Sequence, residues 1–286
     1  MNFKDFYQNK KPRYSFEIFP AKDDKGTESL LQALRELSIF DPAYISVTYG
    51  AMGSTQDLTR NLVLRISKEL KLKTAFHFTC VGSTRESIKS YVEGLKKEGI
   101  DLIVALRGDP PAGATSFQKV ENGFGYANEL VAYLKELGGF SMAVAGYPEK
   151  HIEAPSLDVD LENLKRKVDA GADAIITQLF FDNQDYFNFE KHCRKIGITI
   201  PIIPGIMPIV NGKQIEKITK MCGAKIPTTL QQKLSAHQDN PEAVLQIGID
   251  HAASQCRELL KTGAVGIHFY TLNKAHSCRR VIESIQ

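Results

Sequence analysis

The chain has 286 residues, of which 43% are hydrophobic and 24% are charged. A protein of this length and composition buries a sizeable core, which excludes a disordered chain. Its 36 basic and 33 acidic residues are spread along the sequence and leave a formal charge of +3, so neither a nucleic-acid-binding surface nor an acidic tail is indicated.

The chain begins with MNFKDFYQNKKPRYSF, which lacks the apolar centre of a signal peptide. No run of about 18 apolar residues occurs anywhere in the sequence, so no membrane-spanning helix is predicted. We therefore expect a cytoplasmic protein.

Eight runs of β-branched and aromatic residues, each closed by turn residues, predict eight strands. Their ranges in chain order are 14–20, 44–50, 74–80, 102–108, 142–148, 174–181, 201–208 and 265–272. The segments between them, such as TESLLQALRELS and LENLKRKVDAGA, repeat apolar residues at three and four positions. This period predicts amphipathic helices that cover a sheet.

The alternation of strands and helices predicts a parallel sheet, and eight such units favour a closed (β/α)8 TIM barrel of the α/β class. We expect residues 1–286 to form this single catalytic domain. Between strands 7 and 8, TTLQQKLSAHQ and PEAVLQIGIDHAASQCRELLKTG predict two extra helices. An open doubly wound sheet is the alternative, but FPAKDDKG after strand 1 lacks the G-x-G-x-x-G of a dinucleotide-binding turn.

The five cysteines give no sign of a metal or redox centre. They stand at wide spacings, with no C-x-x-C and no Cys/His cluster: Cys80, Cys193, Cys222, Cys256 and Cys278. We expect reduced, buried thiols.

Polar side chains occur where the predicted strands end, which is the edge that carries the active site in barrel enzymes. They are Glu17, Thr48, His77, Arg107, Asp109, Gln178 and Asn273. Each has a structural interpretation as well. Thr48 and Asn273 could satisfy turn backbone, and His77 could be a hydrogen-bonded core residue. These structural roles are independent of one another, so they do not explain why the polar residues all fall at the same rim of the barrel. We therefore favour a functional site.

Glu17 is the one carboxylate inside the apolar run SFEIFP. Pleat alternation puts Ser15, Glu17 and Phe19 on one face of the strand. If that face looks into the barrel mouth, burial should raise the pKa of Glu17, as a general acid near neutral pH requires. Asp109, beside Arg107, is expected to stay ionised, which would divide the work between two carboxylates.

A third polar group follows strand 5. Its members are Tyr147, His151, Asp160, Asn163, Arg166 and Lys167, the last four on one predicted helix. Alone, this pattern is typical of a solvated helix. Beside a barrel mouth it could hold a diphosphate and a ribose.

With these residues assembled, the chain closely resembles the methylenetetrahydrofolate reductase family. The resemblance runs from SFEIFP to YTLNKA and includes SVTYGA, HFTC, ALRGDPP, YPEKH, NLKRKVDAGAD, ITQLFFD and FYTLN in the family's order. It implies a (β/α)8 barrel that carries FAD noncovalently and reduces 5,10-methylenetetrahydrofolate to 5-methyltetrahydrofolate.

The resemblance also implies roles for single residues. Glu17 would be the general acid that opens the folate's five-membered ring, Asp109 would bind the pterin and tune the flavin, and Gln178 would position the substrate. Gln214 would be a further folate or nicotinamide contact, and Lys274 would contact the folate's glutamate tail. The FAD contacts would be Thr48, Tyr49, Ala51, His77, Arg107, Gly108, Asp109, Tyr126, Ala127, Tyr147, His151, Asp160, Asn163, Arg166 and Lys167.

The reaction implied is a ping-pong sequence in which NAD(P)H reduces FAD and leaves before the folate enters the same pocket. Homo-oligomers are common in the family, so the resemblance also implies a homo-oligomer. The chain departs from the family pattern at Ile18, at Lys274, where bacterial relatives often carry arginine, and at Ile218, where an aromatic ring is expected. It ends after the barrel, so we expect no regulatory domain.

Two other functions remain open from the sequence. A Schiff-base aldolase would need a lysine at an inner strand end, where strand 6 has Gln178 instead. A subunit that carries flavin and folate but receives electrons from a partner protein, rather than from NAD(P)H, fits the same residues.

Overall fold

A ring of parallel strands forms the centre of the protein in the computed structural model, which describes residues 2–8, 11–48, 56–108 and 119–286. The strands of this part of the chain are β1 (Arg13–Ile18), β2 (Ile45–Val47), β3 (Thr74–Thr79), β4 (Leu102–Leu106), β5 (Ser141–Gly146), β6 (Ala174–Thr177), β7 (Ile202–Ile203), β8 (Gly205–Ile206) and β9 (Gly266–Tyr270). Every described pair of neighbouring strands is parallel. The predicted α/β barrel is therefore confirmed.

The ring closes through a strand that is broken in two. The order of strands is β7-β6-β5-β4-β3-β2-β1-β9-β8, so its two ends are adjacent pieces of chain. Between them lies Pro204, which has no N–H to continue the ladder with β6. The Pro204 carbonyl instead accepts from His268 N at 2.9 Å, and Gly205 N donates to Thr177 Oγ1 at 2.9 Å. The single strand predicted at 201–208 is thus two short strands with different partners.

Amphipathic helices surround the ring. They are α1 (Asp24–Ser38), α2 (Gln56–Glu69), α3 (Arg85–Lys97), α4 (Ala127–Leu137), α5 (Leu157–Asp169), α6 (Asn183–Lys195), α7 (Gly212–Cys222), α8 (Thr228–Ala236), α9 (Pro241–Lys261) and α10 (His276–Ile285). Side-chain caps fix several of their starts, as when Asp23 Oδ1 accepts from Gly26 N at 2.7 Å. Helices α8 and α9 confirm the two extra helices predicted between strands 7 and 8. No helix in the described ranges is both long enough and apolar enough to span a bilayer.

The amino terminus fills the lower half of the barrel, which the sequence did not predict. Small inward residues such as Ala75, Ala143 and Ala174 leave space along the axis, and the short 3-10 helix Phe3–Tyr7 occupies it. Phe3 is fully buried, and its N–H donates to Ser141 Oγ at 2.9 Å. We call Phe3–Tyr7 the plug.

We expect opposite effects from alanine at two helical glycines. A Cβ at Gly248 on α9 would overlap the Ile209 carbonyl, whereas one at Gly94 on α3 meets nothing. Gly248→Ala should lower the free energy of unfolding by about 1–3 kcal/mol through overpacking. Gly94→Ala, the matched control, should raise it by about 0.5–1 kcal/mol. Urea unfolding of both variants checks this; equal signs would contradict the packing of α9 on Ile209.

Candidate active site

A cavity of about 600 Å³ lies at the carboxyl ends of the strands. Seven of the predicted site residues line it: Glu17, His77, Arg107, Gly108, Tyr147, His151 and Gln178. They come from separate strand ends, which the barrel brings to one rim. The shared rim predicted from the sequence is thus present for these residues.

Glu17 faces two imidazoles. Its Oε2 lies 3.3 Å from His77 Nε2 and 3.4 Å from His268 Nε2, and 19% of its side chain is exposed. The contact with His268 has hydrogen-bond geometry, whereas His77 Nε2 is buried without a hydrogen-bond partner among the described residues. Two potential cations therefore converge on one carboxylate oxygen.

The raised pKa predicted for Glu17 is wrong. Burial does act to raise the pKa, but the interactions of the carboxylate with His77 and with His268 outweigh it and lower the pKa to about 2. The prediction considered only burial, because these histidines are remote from Glu17 in the sequence. The carboxylate, not the carboxylic acid, is the favoured form of Glu17 in this site.

His268 is the residue of this group that the sequence analysis missed. It is fully buried, and strand pairing sets Ser15 beside His268 and Glu17 beside Tyr270. His268 Nδ1 lies 2.8 Å from Ser15 Oγ. The signal was available, since pleat alternation in GIHFYTLN puts His268 and Tyr270 on one face of the last strand.

Tyr270 closes the side of the cavity at the broken strand. Its hydroxyl donates to the Thr177 carbonyl at 2.7 Å. A side chain at position 205 would collide with this ring, so Gly205 leaves the space in which Tyr270 lies. Burial raises the pKa of Tyr270 well above its usual value, and the nearby Glu17 adds to this, so Tyr270 is a neutral hydrogen-bond donor.

The opposite side of the cavity carries an arginine that is paired with a glutamate. Arg107 donates to both carboxylate oxygens of Glu153, at 2.6 and 2.7 Å. This bidentate pair ties the end of β4 to the loop after β5. Glu153 was not predicted, because nothing in HIEA indicates that it reaches Arg107. The hydrogen bonds from Arg107 lower the pKa of Glu153, so the pair is charged at neutral pH.

Helix α5 supplies a second cation to this side. Lys167 Nζ donates to the Ala145 carbonyl at 2.6 Å and lies 5.8 Å from the centre of the Tyr147 ring. Burial lowers the pKa of Lys167 to about 8, although Asp160 acts against this. Asp160 Oδ2 also accepts from His151 N at 3.0 Å. Lys167 is therefore a desolvated cation beside the cavity.

Other predicted site residues lie away from the cavity. Asn163 and Arg166 are exposed on α5, where Arg166 donates to Asn163 Oδ1 at 3.3 Å. Tyr126 and Ala127 start α4, with 64% of Tyr126 exposed. The described contact of Thr48 is made by its backbone, because its carbonyl accepts from Thr59 Oγ1 at 3.1 Å.

Three predicted residues, Tyr49, Ala51 and Asp109, fall outside the described ranges. For Asn273 the structural interpretation is correct. Its side-chain amide binds Phe19 at both ends, accepting from Phe19 N at 2.9 Å and donating to Phe19 O at 2.7 Å. Asn273 thus holds the segment after β1 in place.

Gln214 and Lys274 line a second cavity, of about 470 Å³, where α7, α9 and α10 begin. The Glu17 cavity is bounded on this side by α7, through Ile218, Met221 and Cys222. The loop after α7 is tied across the rim, because Lys225 N donates to both carboxylate oxygens of Glu149 at 3.1 Å.

No group of three or more potential ligands suited to a metal ion occurs in the part of the chain that the structure describes. All five cysteines are free, and four of them are buried. Burial raises the pKa of several of these thiols, that of Cys80 to about 11, so they are neutral at physiological pH.

The family profile of methylenetetrahydrofolate reductase matches residues 2–286. The chain is 39% identical over 261 residues to the 5,10-methylenetetrahydrofolate reductase of Escherichia coli (strain K12), an alignment that covers 91% of this chain and 86% of that protein. The chain belongs to the methylenetetrahydrofolate reductase family.

Plant members of the family are also similar. The chain is 41% identical over 283 residues to methylenetetrahydrofolate reductase (NADH) 1 of Zea mays, which covers 95% of this chain and 48% of that protein. It spans about half the length of the plant relatives. The fold matches a Clostridium thermocellum protein, described as uncharacterised and as binding two copies of 5-methyl-5,6,7,8-tetrahydrofolic acid, with a TM-score of 0.70, 15% identity and coverage of 100% and 98%.

We expect the acid stability of this reductase family member to depend on Glu17. Because the folded-state pKa of about 2 lies below the ordinary 4.5, ionised Glu17 stabilises the fold fully above that ordinary value and loses this contribution as the pH falls toward 2. Glu17→Gln cannot titrate. Its free energy of unfolding should therefore fall less than that of the wild type between about pH 5 and pH 3.

Urea unfolding across this pH range measures the difference. Glu190→Gln is the matched control, because Glu190 pairs with Arg194 at 3.0 Å on the exposed face of α6. It should keep the wild-type pH dependence. Identical acid dependence in Glu17→Gln and the wild type would contradict the stabilisation of Glu17 by the two histidines.

Proposed function

We propose that the chain is a flavin-dependent methylenetetrahydrofolate reductase, which uses NAD(P)H to reduce 5,10-methylenetetrahydrofolate to 5-methyltetrahydrofolate in a ping-pong reaction. Membership of the family supports the reaction class. The observation that carries the proposal is a carboxylate fixed by two imidazoles in a cavity whose opposite side carries Arg107 and Lys167.

This opposite side suits FAD. An anion stabilises a desolvated lysine, and Lys167 lies beside the cavity with its Nζ bonded to a neutral carbonyl. Arg107 has a fork of donors that matches phosphate oxygens, and it would exchange its bidentate pair with Glu153 to bind them. We assign the diphosphate to these two cations, with Tyr147 and His151 packed against the cofactor. When bound, FAD would supply hydride transfer between nicotinamide and folate.

Glu17 would handle the proton in the folate half reaction. Opening the five-membered ring of the folate requires a proton on the departing amine nitrogen, and Glu17 lines the cavity where that nitrogen would lie. Both described imidazole contacts are made to Oε2. These contacts hold the carboxylate in place.

The remaining substrate contacts divide into two places. Gln178 lines the Glu17 cavity, although its Oε1 accepts from the following Leu179 N at 2.9 Å and must exchange this bond to meet a ligand. We assign the folate's glutamate tail to the second cavity, with Gln214 and Lys274. A lysine there offers a single point charge where an arginine would offer a bidentate grip.

The test of the proposed function is the colour of the purified protein and its response to nicotinamide nucleotides. We expect a yellow protein whose flavin absorbance is bleached by NADH or NADPH without any partner. A colourless protein that cannot be reconstituted with FAD would refute the proposal. A yellow protein that neither nucleotide bleaches would instead support the alternative, a subunit reduced by a partner protein.

The role of Glu17 is tested by separating the half reactions. Glu17→Gln should leave flavin reduction by the nicotinamide nearly intact and reduce the rate of folate reduction by a factor of about 100 or more, because it removes a general acid. Stopped-flow absorbance follows both steps. An equal loss in the two half reactions would show that Glu17 is not the folate's acid.

A further inference from the structure

Glu149 is a buried carboxylate that the proposed reaction does not use. It lies in the turn after β5, which is closed by a hydrogen bond from Lys150 N to the Tyr147 carbonyl at 3.1 Å. Only 6% of the Glu149 side chain is exposed, and it is not among the residues that line the Glu17 cavity. A buried carboxylate costs free energy unless other groups compensate its charge.

The surroundings of Glu149 compensate its charge only in part. Burial raises the pKa of Glu149, and the charges of Asp185 and Asp182 at the start of α6 add to this, while Lys225 acts against it. The Lys225 ammonium lies 3.9 Å away, on a side chain that is 83% exposed. An ion pair with so exposed a lysine contributes little stability. Stability alone therefore does not explain a carboxylate at this position.

Both oxygens of Glu149 instead bind the backbone of the chain that follows α7. Each lies 3.1 Å from Lys225 N, 76 residues further along the sequence. Gly223 ends α7 in the left-handed conformation, with a φ of 79°. A Cβ on Gly223 would lie 3.9 Å from the Cβ of Ile152, so this end of the helix lies against the loop after β5. Two neighbouring contacts thus join the end of α7 to that loop.

Helix α7 buries little of its own surface. Of its 11 residues, only Ile215 and Thr219 are buried. Its start is capped locally, because Asn211 Oδ1 accepts from Gln214 N at 2.9 Å. A helix with so narrow a buried face gains little free energy from packing and opens easily. The hydrogen bonds to Glu149 are therefore well placed to fasten its far end.

We propose that Glu149 is a positioning residue that holds α7 as a wall of the candidate active site. Ile218, Met221 and Cys222 line the cavity from α7, so a movement of the helix end changes the width of the space. This inference rests on the proposed function, in which the flat rings of nicotinamide and folate occupy that space in turn. Glu149 touches neither ligand and acts through the Lys225 N–H.

The first test is amide hydrogen exchange in Glu149→Ala, which removes the acceptor of the Lys225 N–H. We expect the amides of residues 218–225 to exchange about tenfold faster or more, because a hydrogen bond to a charged group is lost. Glu149→Gln should restore most of the protection, since its side-chain oxygen can accept the same bond. Wild-type exchange in Glu149→Ala would overturn the proposal, as would exchange in Glu149→Gln as fast as in Glu149→Ala.

Asp173→Ala is the matched control. The Asp173 side chain is also 6% exposed, and its Oδ2 accepts from Met142 N at 3.1 Å, at the opposite end of the barrel. It should leave the exchange of α7 unchanged. Faster α7 exchange in both variants would indicate general loosening and contradict the proposal. If Glu149→Ala does not fold, Glu149→Met, which fills the space but offers no oxygen, must show the faster exchange, and its absence overturns the proposal equally.

The exchange measurement needs neither nicotinamide nor folate, so its outcome is separate from that of the proposed function. The kinetic counterpart compares KM with kcat. In Glu149→Ala the KM for 5,10-methylenetetrahydrofolate should rise roughly threefold to tenfold with a much smaller fall in kcat, because the wall holds the substrate equally before and during the reaction. Glu149→Gln should recover the wild-type KM. A lower kcat at an unchanged KM would contradict the positioning role.

Discussion

The structure depends on the cost of placing a carboxylate inside a barrel. The Glu17 side chain is only 19% exposed, so its charge has to be met by other groups in the barrel. The pairing of β1 with β9 does this, because the register that sets Ser15 beside His268 also sets Glu17 beside Tyr270. A shift of one residue would turn all of these side chains to the helices. The register of β1 with β9 and the arrangement of the site residues therefore depend on each other.

The broken strand serves the same site. A regular strand through position 204 would hydrogen-bond to β6 along its length and bring a side chain into the space of Tyr270. With proline at 204 and glycine at 205, the chain changes neighbours from β6 to β9, and the Pro204 carbonyl binds the backbone of His268. The local loss of ladder bonds is small, and Thr177 Oγ1 satisfies the freed Gly205 N–H. The break in the strand therefore helps to position His268 and Tyr270.

Sequence patterns predict the barrel and most of its rim because both follow from local periodicity. Strand ends in a parallel barrel meet wherever the chain alternates, so Glu17, His77, Arg107 and Gln178 could be grouped without coordinates. The protonation of Glu17 could not be predicted, since it depends on an imidazole 251 residues away. Glu153 and the plug were missed for a related reason: an exposed loop acid and a short aromatic segment carry no periodic signal. Local patterns place side chains on faces, but they do not identify their partners.

The pairing of β1 with β9 also has a consequence for the order in which the protein assembles. Glu17 is synthesised 251 residues before His268, so the carboxylate exists well before its buried partner does. Loop closure over such a span is entropically costly and is made late in folding. The step that pairs β1 with β9 is therefore also the step that brings His268 to the Glu17 carboxylate. A chain that stops before β9 lacks both the strand that closes the barrel and the His268 that contacts Glu17. A partly closed barrel therefore has an incomplete site.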